Sequence, residues 1–181
     1  MRPTLEGLVL RPVRTADLDA AAALQKASIL ALGMPTYSEA QARAWARLGV
    51  ECRHDLLDQG SFWITELAGR ALGVGGWSPD SQDPSLAWLR YLFVHPDTVG
   101  RGIGRRLVGL AEQAALTAGR RRLHVWSGLN AVGFYETLGY RRLRAGRWPV
   151  ASGIEMDFVL LGRKPVPAEP LEEHQRLGCH S

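Results

Sequence analysis

A turn with three glycines at alternate positions joins the most apolar predicted strand of the chain to its most regular predicted helix. Gly100, Gly102 and Gly104 let the backbone turn sharply and present its N–H groups without interference from Cβ atoms. A helix start also carries unpaired N–H donors and about half a positive charge. The turn therefore favours an anionic ligand such as a phosphate. Three arginines add positive charge to it: Arg101, Arg105 and Arg106.

Glycine-rich turns between a strand and a helix also occur in other kinds of structure. A tight strand-to-helix connection needs no ligand at all. A dinucleotide-binding fingerprint fits poorly, because the third glycine position counted from Gly102 falls on Leu107, and His124 with apolar neighbours occupies the place of the ribose-binding acid. A P-loop is disfavoured because no Gly-Lys-Ser/Thr follows.

The elements around the turn predict an α/β domain. The strand at 86–94 is apolar enough to be covered on both faces. Apolar residues recur at helical spacing over 102–118, and the predicted buried stripe is Ile103, Leu107, Leu110, Ala114 and Ala118. Thr15 and Ser38 are predicted N-caps, with Gln41 completing a capping box. The remaining predicted elements are strands at 8–13, 61–66, 71–77, 122–127, 140–143 and 154–161 and helices at 16–32, from 39, at 52–58 and at 130–138.

The length and the order of these elements predict one domain. A chain of 181 residues suits a single core, and no linker or repeat interrupts residues 1–162. We predict that residues 163–181, which are polar and contain prolines, form a mobile tail.

Composition limits the compartment and the metal chemistry. Cys52 and Cys179 lie far apart, so neither a disulfide framework nor a cysteine-rich metal site is expected. We predict no metal. The sequence contains neither a signal-peptide core nor an apolar run that could cross a membrane. These features predict a cytoplasmic protein without a membrane partner.

The charge balance argues against nucleic acid as the main partner. The net charge is +4, from 22 basic and 18 acidic residues. Arginines cluster at Arg105–Arg106, at Arg120–Arg122 and within 141–147. So small an excess of positive charge suggests that these clusters are solvated helix ends and loops rather than one binding face. An arginine-rich nucleic-acid-binding domain is therefore kept only as the weakest alternative.

Two segments together resemble the GNAT superfamily of N-acetyltransferases. Gly102 and Gly104 occupy the glycine positions of that family's Q/R-x-x-G-x-G/A motif, after a strand that ends in Leu92-Phe-Val-His-Pro96. The segment from Leu129 to Tyr140 resembles the family's N-A-x-x-F-Y-E-x-x-G-F/Y segment. Val99 stands where the family normally has Gln or Arg, and Arg101 or Arg105 could supply the missing contact.

The resemblance implies a GNAT-like fold and a cofactor. The fold is a mixed, mostly antiparallel sheet, flanked by helices and splayed between the strands at 86–94 and 122–127. Acyl-CoA would lie in the splay, with its pyrophosphate on the glycine turn and its pantetheine arm along the strand at 86–94. Asn130 would contact the arm from the opposite side. The residues that the resemblance assigns to cofactor binding are Phe93, Val94, Val99, Gly100, Arg101, Gly102, Ile103, Gly104, Arg105 and Asn130.

Acyl transfer from a thioester to an amine needs a neutral amine, a donor to the developing oxyanion and a proton for the departing thiolate. A tyrosine can supply that proton. The resemblance assigns this role to Tyr135 and the polarisation of the carbonyl to a backbone N–H near Val94. The alternative is that Phe134 and Tyr135 are only core aromatics.

The sequence leaves the base and the acceptor open. The strand at 86–94 has no carboxylate, and the general base is left among Glu66, Asp83, His95, His124 and Glu155. The acceptor site is expected between the 33–58 segment and the strand near 73–78. Its candidate lining residues are Tyr37, Trp45 and Trp77, each of which could equally be a core aromatic.

The favoured function is transfer of an acetyl group from acetyl-CoA to a primary amine of a small molecule or amino acid, by direct attack. A non-catalytic acyl-CoA-binding or sensor module is the main alternative. A homodimer is the general default for such a chain.

Overall fold

The computed structural model describes residues 6–48 and 61–164. The helix predicted at 52–58 and residues 165–181 of the predicted tail lie outside the described residues. The strands are β1 Val9–Pro12, β2 Ser61–Leu67, β3 Arg70–Pro79, β4 Leu86–Val94, β5 Arg122–Gly128, β6 Arg141–Ala151 and β7 Ile154–Arg163. The helices are α1 Leu18–Gly33, α2 Glu39–Leu48, α3 Ile103–Thr117 and α4 Val132–Thr137.

The strands form one mixed sheet of seven, in the order β1-β2-β3-β4-β5-β7-β6. Neighbouring strands are antiparallel except for β4 and β5, which are parallel. The parallel pair is short, since only Leu86–Trp88 align with Arg122–His124. Beyond Trp88 the two strands diverge and the sheet splays, which confirms the predicted fold.

A β-bulge in β4 accompanies this divergence. The register between β3 and β4 shifts between Val74 and Gly76, so Tyr91 and Leu92 lie opposite the single residue Gly75. Tyr91 has a φ of 55°, in the left-handed region that non-glycine residues rarely adopt. Bulges bend and twist a strand, and this one lies where β4 leaves β5.

The core has two sides because helices cover both faces of the sheet. Leu92 and Val94 of β4 pack against Ile103 and Leu107 of α3. The alternate residues Tyr91 and Phe93 pack instead in the cluster that includes Ala21 and Leu24 of α1. Helices α1 and α3 therefore lie on opposite faces.

The buried stripe of α3 differs in part from its prediction. Ile103 and Leu107 are buried as expected, but Leu110 and Ala114 are only half-buried and Ala118 is exposed. The helix instead buries Val108, Ala111 and Ala115. Two neighbouring stripes of small and apolar residues satisfy the helical period here, and packing on the sheet selects between them.

The helix starts were only partly predicted. The Ser38 capping box is confirmed, because the Gln41 N–H donates to Ser38 Oγ over 3.2 Å and the Ser38 N–H donates to Gln41 Oε1 over 3.0 Å. The Thr15 cap is wrong. Thr15 lies within a 3₁₀ turn that precedes α1, and the side chain of Asp17 accepts the Arg14 N–H over 2.7 Å.

Strand β6 is much longer than the predicted strand at 140–143. It continues to Ala151 and pairs with β7 along its length. Gly146 and Pro149 weaken the local strand signal, and the antiparallel partner compensates through ladder hydrogen bonds.

The hydrogen bonds of Asp80, in the loop before β4, predict a contribution to folding stability that is lost in acid. The Asp80 carboxylate accepts hydrogen bonds from Trp88 Nε1 and from the N–H groups of Gln82 and Asp83, which lower the pKa of Asp80 to about 2. In the unfolded chain the value is about 3.9, so this stabilisation is present above about pH 4 and lost as the pH falls towards about 2.

We expect Asp80→Asn to melt below the wild type at pH 7 and the difference to shrink as the pH falls from about 5 towards about 2. Thermal unfolding followed by circular dichroism at each pH measures it. A difference in Tm that stays constant over this range would contradict the assignment.

Candidate active site

A cleft of about 560 Å³ opens where β4 and β5 diverge. One side is walled by the start of α3 and by α4, and the other by α1 and α2. The cleft therefore reaches both faces of the sheet. The predicted site residues that line it are Phe93, Val94, Val99, Gly100, Gly102, Ile103, Gly104, Arg105, Asn130, Tyr135 and Trp45.

The turn before α3 leaves its backbone accessible. Gly100 and Gly102 have φ values of 78° and 83°, and a Cβ on either would meet nothing within 4 Å. Gly102 is the N-cap of α3, and its carbonyl accepts the Arg106 N–H over 3.0 Å. The amides of the first turn have no acceptor within the helix. These N–H groups and the space beside them fit an anion such as a diphosphate.

Gly104 is required for packing rather than for a turn. A Cβ there would lie 3.2 Å from Phe134 Cζ and 3.5 Å from Val94 Cγ2. The start of α3 is therefore in close contact with α4, which brings the turn and Tyr135 to one cleft.

Positive charge at this end of the cleft comes from the helix start and from one arginine. Val99 lines the cleft, is 53% exposed and brings no charge. Arg105 is exposed and lines the cleft, whereas Arg101 is half-buried and does not line it. Of the two proposed substitutes for the family's Gln or Arg, Arg105 is the one on the cleft wall.

Tyr135 combines cleft lining with deep burial. Its side chain packs with Phe134 and Tyr140 at centroid distances of 5.1 and 5.6 Å, and it is 5% exposed. Burial raises the pKa of Tyr135 well above its ordinary value. The phenol therefore stays protonated through the neutral and mildly alkaline range and can act as a proton donor.

The three predicted acceptor-lining aromatics separate in the structure. Trp45 lines the cleft from α2. Tyr37 lies behind it, where its hydroxyl donates to the Asp157 carbonyl over 2.6 Å and accepts the Leu129 N–H over 2.7 Å. Tyr37 therefore holds the turn before Asn130 and does not itself line the cleft.

Trp77 is outside the cleft. It packs in the core cluster on the α3 face of the sheet, and the Arg120 guanidinium lies 5.9 Å from its ring. The sequence could not predict this, because the facing of a strand residue depends on the register of the whole sheet.

None of the proposed general bases lines the cleft. Within the described ranges 6–48 and 61–164, the cleft wall contains no Asp, Glu or His side chain. Several of the candidates have partners elsewhere: Glu66 pairs with Arg11, Asp83 with Arg122, His95 contacts Arg70, and His124 packs edge-on against Trp88.

Arg90 and Trp126 line the cleft but were missed from the sequence. Leu89 of β4 and Val125 of β5 face the α3 side, so alternation places Arg90 and Trp126 on the side of α1 and α2. Arg90 is the lone charge in an otherwise apolar strand, which could have marked it. Ser28, from α1, also borders the cleft.

The described part of the chain contains neither a metal cluster nor a membrane-spanning helix. There, no group of three or more His, Cys, Asp or Glu side chains could hold a metal ion. None of the described helices is both long and apolar enough to cross a bilayer.

Comparison with known proteins agrees with the geometry. The model of the acetyltransferase (GNAT) family matches residues 27–140. An uncharacterized N-acetyltransferase of Methanocaldococcus jannaschii is 32% identical in an alignment of 90 residues, and the match covers 46% of this chain and 40% of that protein. The match to that curated relative thus spans less than half of its length.

Two solved structures share the fold over most of both chains. A GCN5-related N-acetyltransferase of Rhodopseudomonas palustris is 29% identical, with a TM-score of 0.75 over 86% of this chain and 94% of that one. The PaiA N-acetyltransferase of Thermoplasma acidophilum, solved in complex with coenzyme A, is 18% identical, with a TM-score of 0.69 over 87% and 98%. The splayed sheet, the open glycine turn and the family match lead to one conclusion: this chain belongs to the GNAT acetyltransferase family.

Proposed function

We propose that this chain transfers an acetyl group from acetyl-CoA to a primary amine of a small molecule, by direct attack, with Tyr135 as the general acid. The observation that carries the proposal is the single cleft that joins the open glycine turn to a buried, protonated tyrosine. Such a cleft offers an anion site and a proton donor to one bound thioester.

The turn before α3 suits the diphosphate of acetyl-CoA. The N–H groups from Gly102 to Gly104, in the first turn of the helix, provide donors, and Arg105 adds a cation from the cleft wall. The N–H groups of Val99 and Arg101 already donate to the carbonyls of Pro96 and Thr98, over 3.4 and 3.3 Å. The backbone at Phe93 and Val94 would pair with the pantetheine arm, because β4 has lost its β5 neighbour there. Asn130 would contact the arm from the other side. The fold neighbour from Thermoplasma acidophilum was solved with coenzyme A.

Groups of this chain assist both the attack of the amine and the departure of the thiolate. A neutral amine attacks the thioester carbonyl, and a backbone N–H near Val94 stabilises the oxygen that gains charge. The C–S bond then breaks, the sulfur takes the Tyr135 proton, and the amide product loses its extra proton to solvent. The Tyr135 phenolate regains a proton from solvent before the next turnover. A raised pKa of Tyr135 keeps this proton available.

The experiment that tests the proposal follows release of the coenzyme A thiol in the presence of acetyl-CoA and a panel of amines and amino acids. We expect thiol release that depends on both substrates and N-acetylated product by mass spectrometry. Binding of coenzyme A without turnover on any amine would overturn the proposed reaction.

A non-catalytic acyl-CoA-binding or sensor module is the second candidate. The absence of Asp, Glu and His from the described cleft wall favours it, because no described side chain there can deprotonate an ammonium. The two candidates differ in the thiol-release assay, where a sensor gives binding alone. The homodimer and the cytoplasmic location stay predictions of the sequence.

A further inference from the structure

The part of the cleft on the side of α1 and α2 is lined by different side chains from the part beside α3 and α4. It contains the indoles of Trp45 and Trp126 and the side chain of Arg90. The glycine turn and Tyr135 lie on the other side, with α3 and α4. If acetyl-CoA enters from the glycine turn, as the proposed function requires, the α1 and α2 side is left for the acceptor.

A hydrogen bond holds the Arg90 side chain in place, but its charge is not paired with any described carboxylate. Its Nε donates to Ser78 Oγ over 3.2 Å, and its guanidinium lies 5.9 Å from the Trp88 ring. Ser78 is only 3% exposed, so it is a fixed acceptor. None of the described carboxylates forms a salt bridge with Arg90. Among the described residues, the two terminal nitrogens thus have no carboxylate partner and can bind the carboxylate of a ligand, which an arginine holds in bidentate geometry.

The aromatic walls beside Arg90 are held in place by other rings. Trp126 meets Trp148 edge-on at a centroid distance of 4.1 Å, and the Arg144 guanidinium lies 5.0 Å from the Trp126 ring. Trp45 meets Phe158 edge-on at 5.7 Å. Fixed indole faces and edges favour a planar ring in the ligand, because aromatic pairs stack or meet edge-to-face.

The positive charge of the described cleft wall argues against a polycationic acceptor. The described cleft wall has Arg90 and Arg105 but no carboxylate, so a polyamine or aminoglycoside would meet like charge without a counter-ion. A nearby guanidinium also lowers the pKa of a bound amine. The amine then reaches its neutral, nucleophilic form without a described base.

We propose, on the basis of the proposed function, that the acceptor is an aromatic primary amine that also carries a carboxylate, as aromatic amino acids do. Arg90 binds the carboxylate, and Trp45 and Trp126 flank the ring. Arg90 is in this account a specificity-determining residue and takes no part in proton transfer.

The test compares matched acceptors and matched variants. Tryptophan and tryptamine differ only by the carboxylate, and spermidine represents the polycations. The variants are Arg90→Gln, Arg90→Lys and the control Arg121→Gln, which changes an exposed arginine away from the cleft. Thiol release gives kcat/KM for each pair, and calorimetry with coenzyme A present gives the Kd of N-acetyltryptophan as a readout independent of turnover.

We expect the wild type to prefer tryptophan over tryptamine and spermidine. Arg90→Gln should lower kcat/KM for tryptophan and weaken N-acetyltryptophan binding by about 10- to 100-fold, the loss of one charged hydrogen-bonding partner. Tryptamine turnover should change less than about threefold, Arg90→Lys should recover part of the loss, and Arg121→Gln should match the wild type.

A preference of the wild type for tryptamine or spermidine, or an equal loss on tryptophan and tryptamine in Arg90→Gln, would overturn this inference while leaving the proposed acetyl transfer intact. Absence of turnover on every amine would instead overturn the proposed function. In that case unchanged N-acetyltryptophan binding in Arg90→Gln would overturn the carboxylate site as well.

Discussion

Tyr135→Phe should lower kcat by about 10²- to 10³-fold, the usual scale for loss of a general acid. The substitution removes only the hydroxyl, so the packing of the ring with Phe134 and Tyr140 is kept. Binding of coenzyme A, measured by calorimetry, should change less than about threefold. Steady-state thiol release with the best amine of the panel gives kcat.

Tyr140→Phe provides the matched control. Tyr140 is also buried and touches the Tyr135 ring, but its hydroxyl donates to Glu112 over 2.8 Å. Its loss should lower Tm and leave kcat within about threefold of the wild type. Tyr135 would be a core aromatic, rather than the proton donor, if its Phe variant kept wild-type kcat or if both variants lost the same activity.

The double variant Gly100→Ala with Gly102→Ala should weaken coenzyme A binding by about 10- to 100-fold. Both residues have positive φ, where a Cβ costs about 1–2 kcal/mol per residue and drives the turn towards another conformation. The added methyl groups would also occupy the open space beside the turn. Calorimetric titration of the variant with coenzyme A measures the loss.

Two comparisons separate loss of the phosphate site from general damage. Gly109→Ala changes an exposed glycine of α3 whose added Cβ meets nothing within 4 Å. It should keep the wild-type Kd and gain about 0.5–1 kcal/mol of stability, the usual difference between alanine and glycine in a helix. Acetyl-pantetheine lacks the diphosphate, and its kcat/KM should be nearly the same in the double variant and the wild type. An equal loss on both thioesters would show general damage to the site and contradict the assignment of the diphosphate to this turn.

Local backbone requirements made much of the site predictable from the amino-acid order. Gly100 and Gly102 mark positions with positive φ, and such positions exclude most side chains whatever the rest of the fold does. The Ser38 capping box depends on residues three apart in the chain. The segment around Tyr135 was assigned through its family motif. All of these features depend on neighbours in sequence, so short-range pattern was enough to predict them.

Packing between distant parts of the chain settled which side chains share the cleft. Trp45 and Trp77 were equal candidates, and only the sheet register and the helix packing place Trp45 on the cleft and Trp77 in the α3-side core. The left-handed Tyr91 is imposed by the mismatch with β3 and has no local sequence signal. Arg90 gained its importance from the divergence of β4 and β5, which leaves it on an open wall. A strand residue faces one side or the other according to partners far away in the chain, so these positions became known only from the folded arrangement.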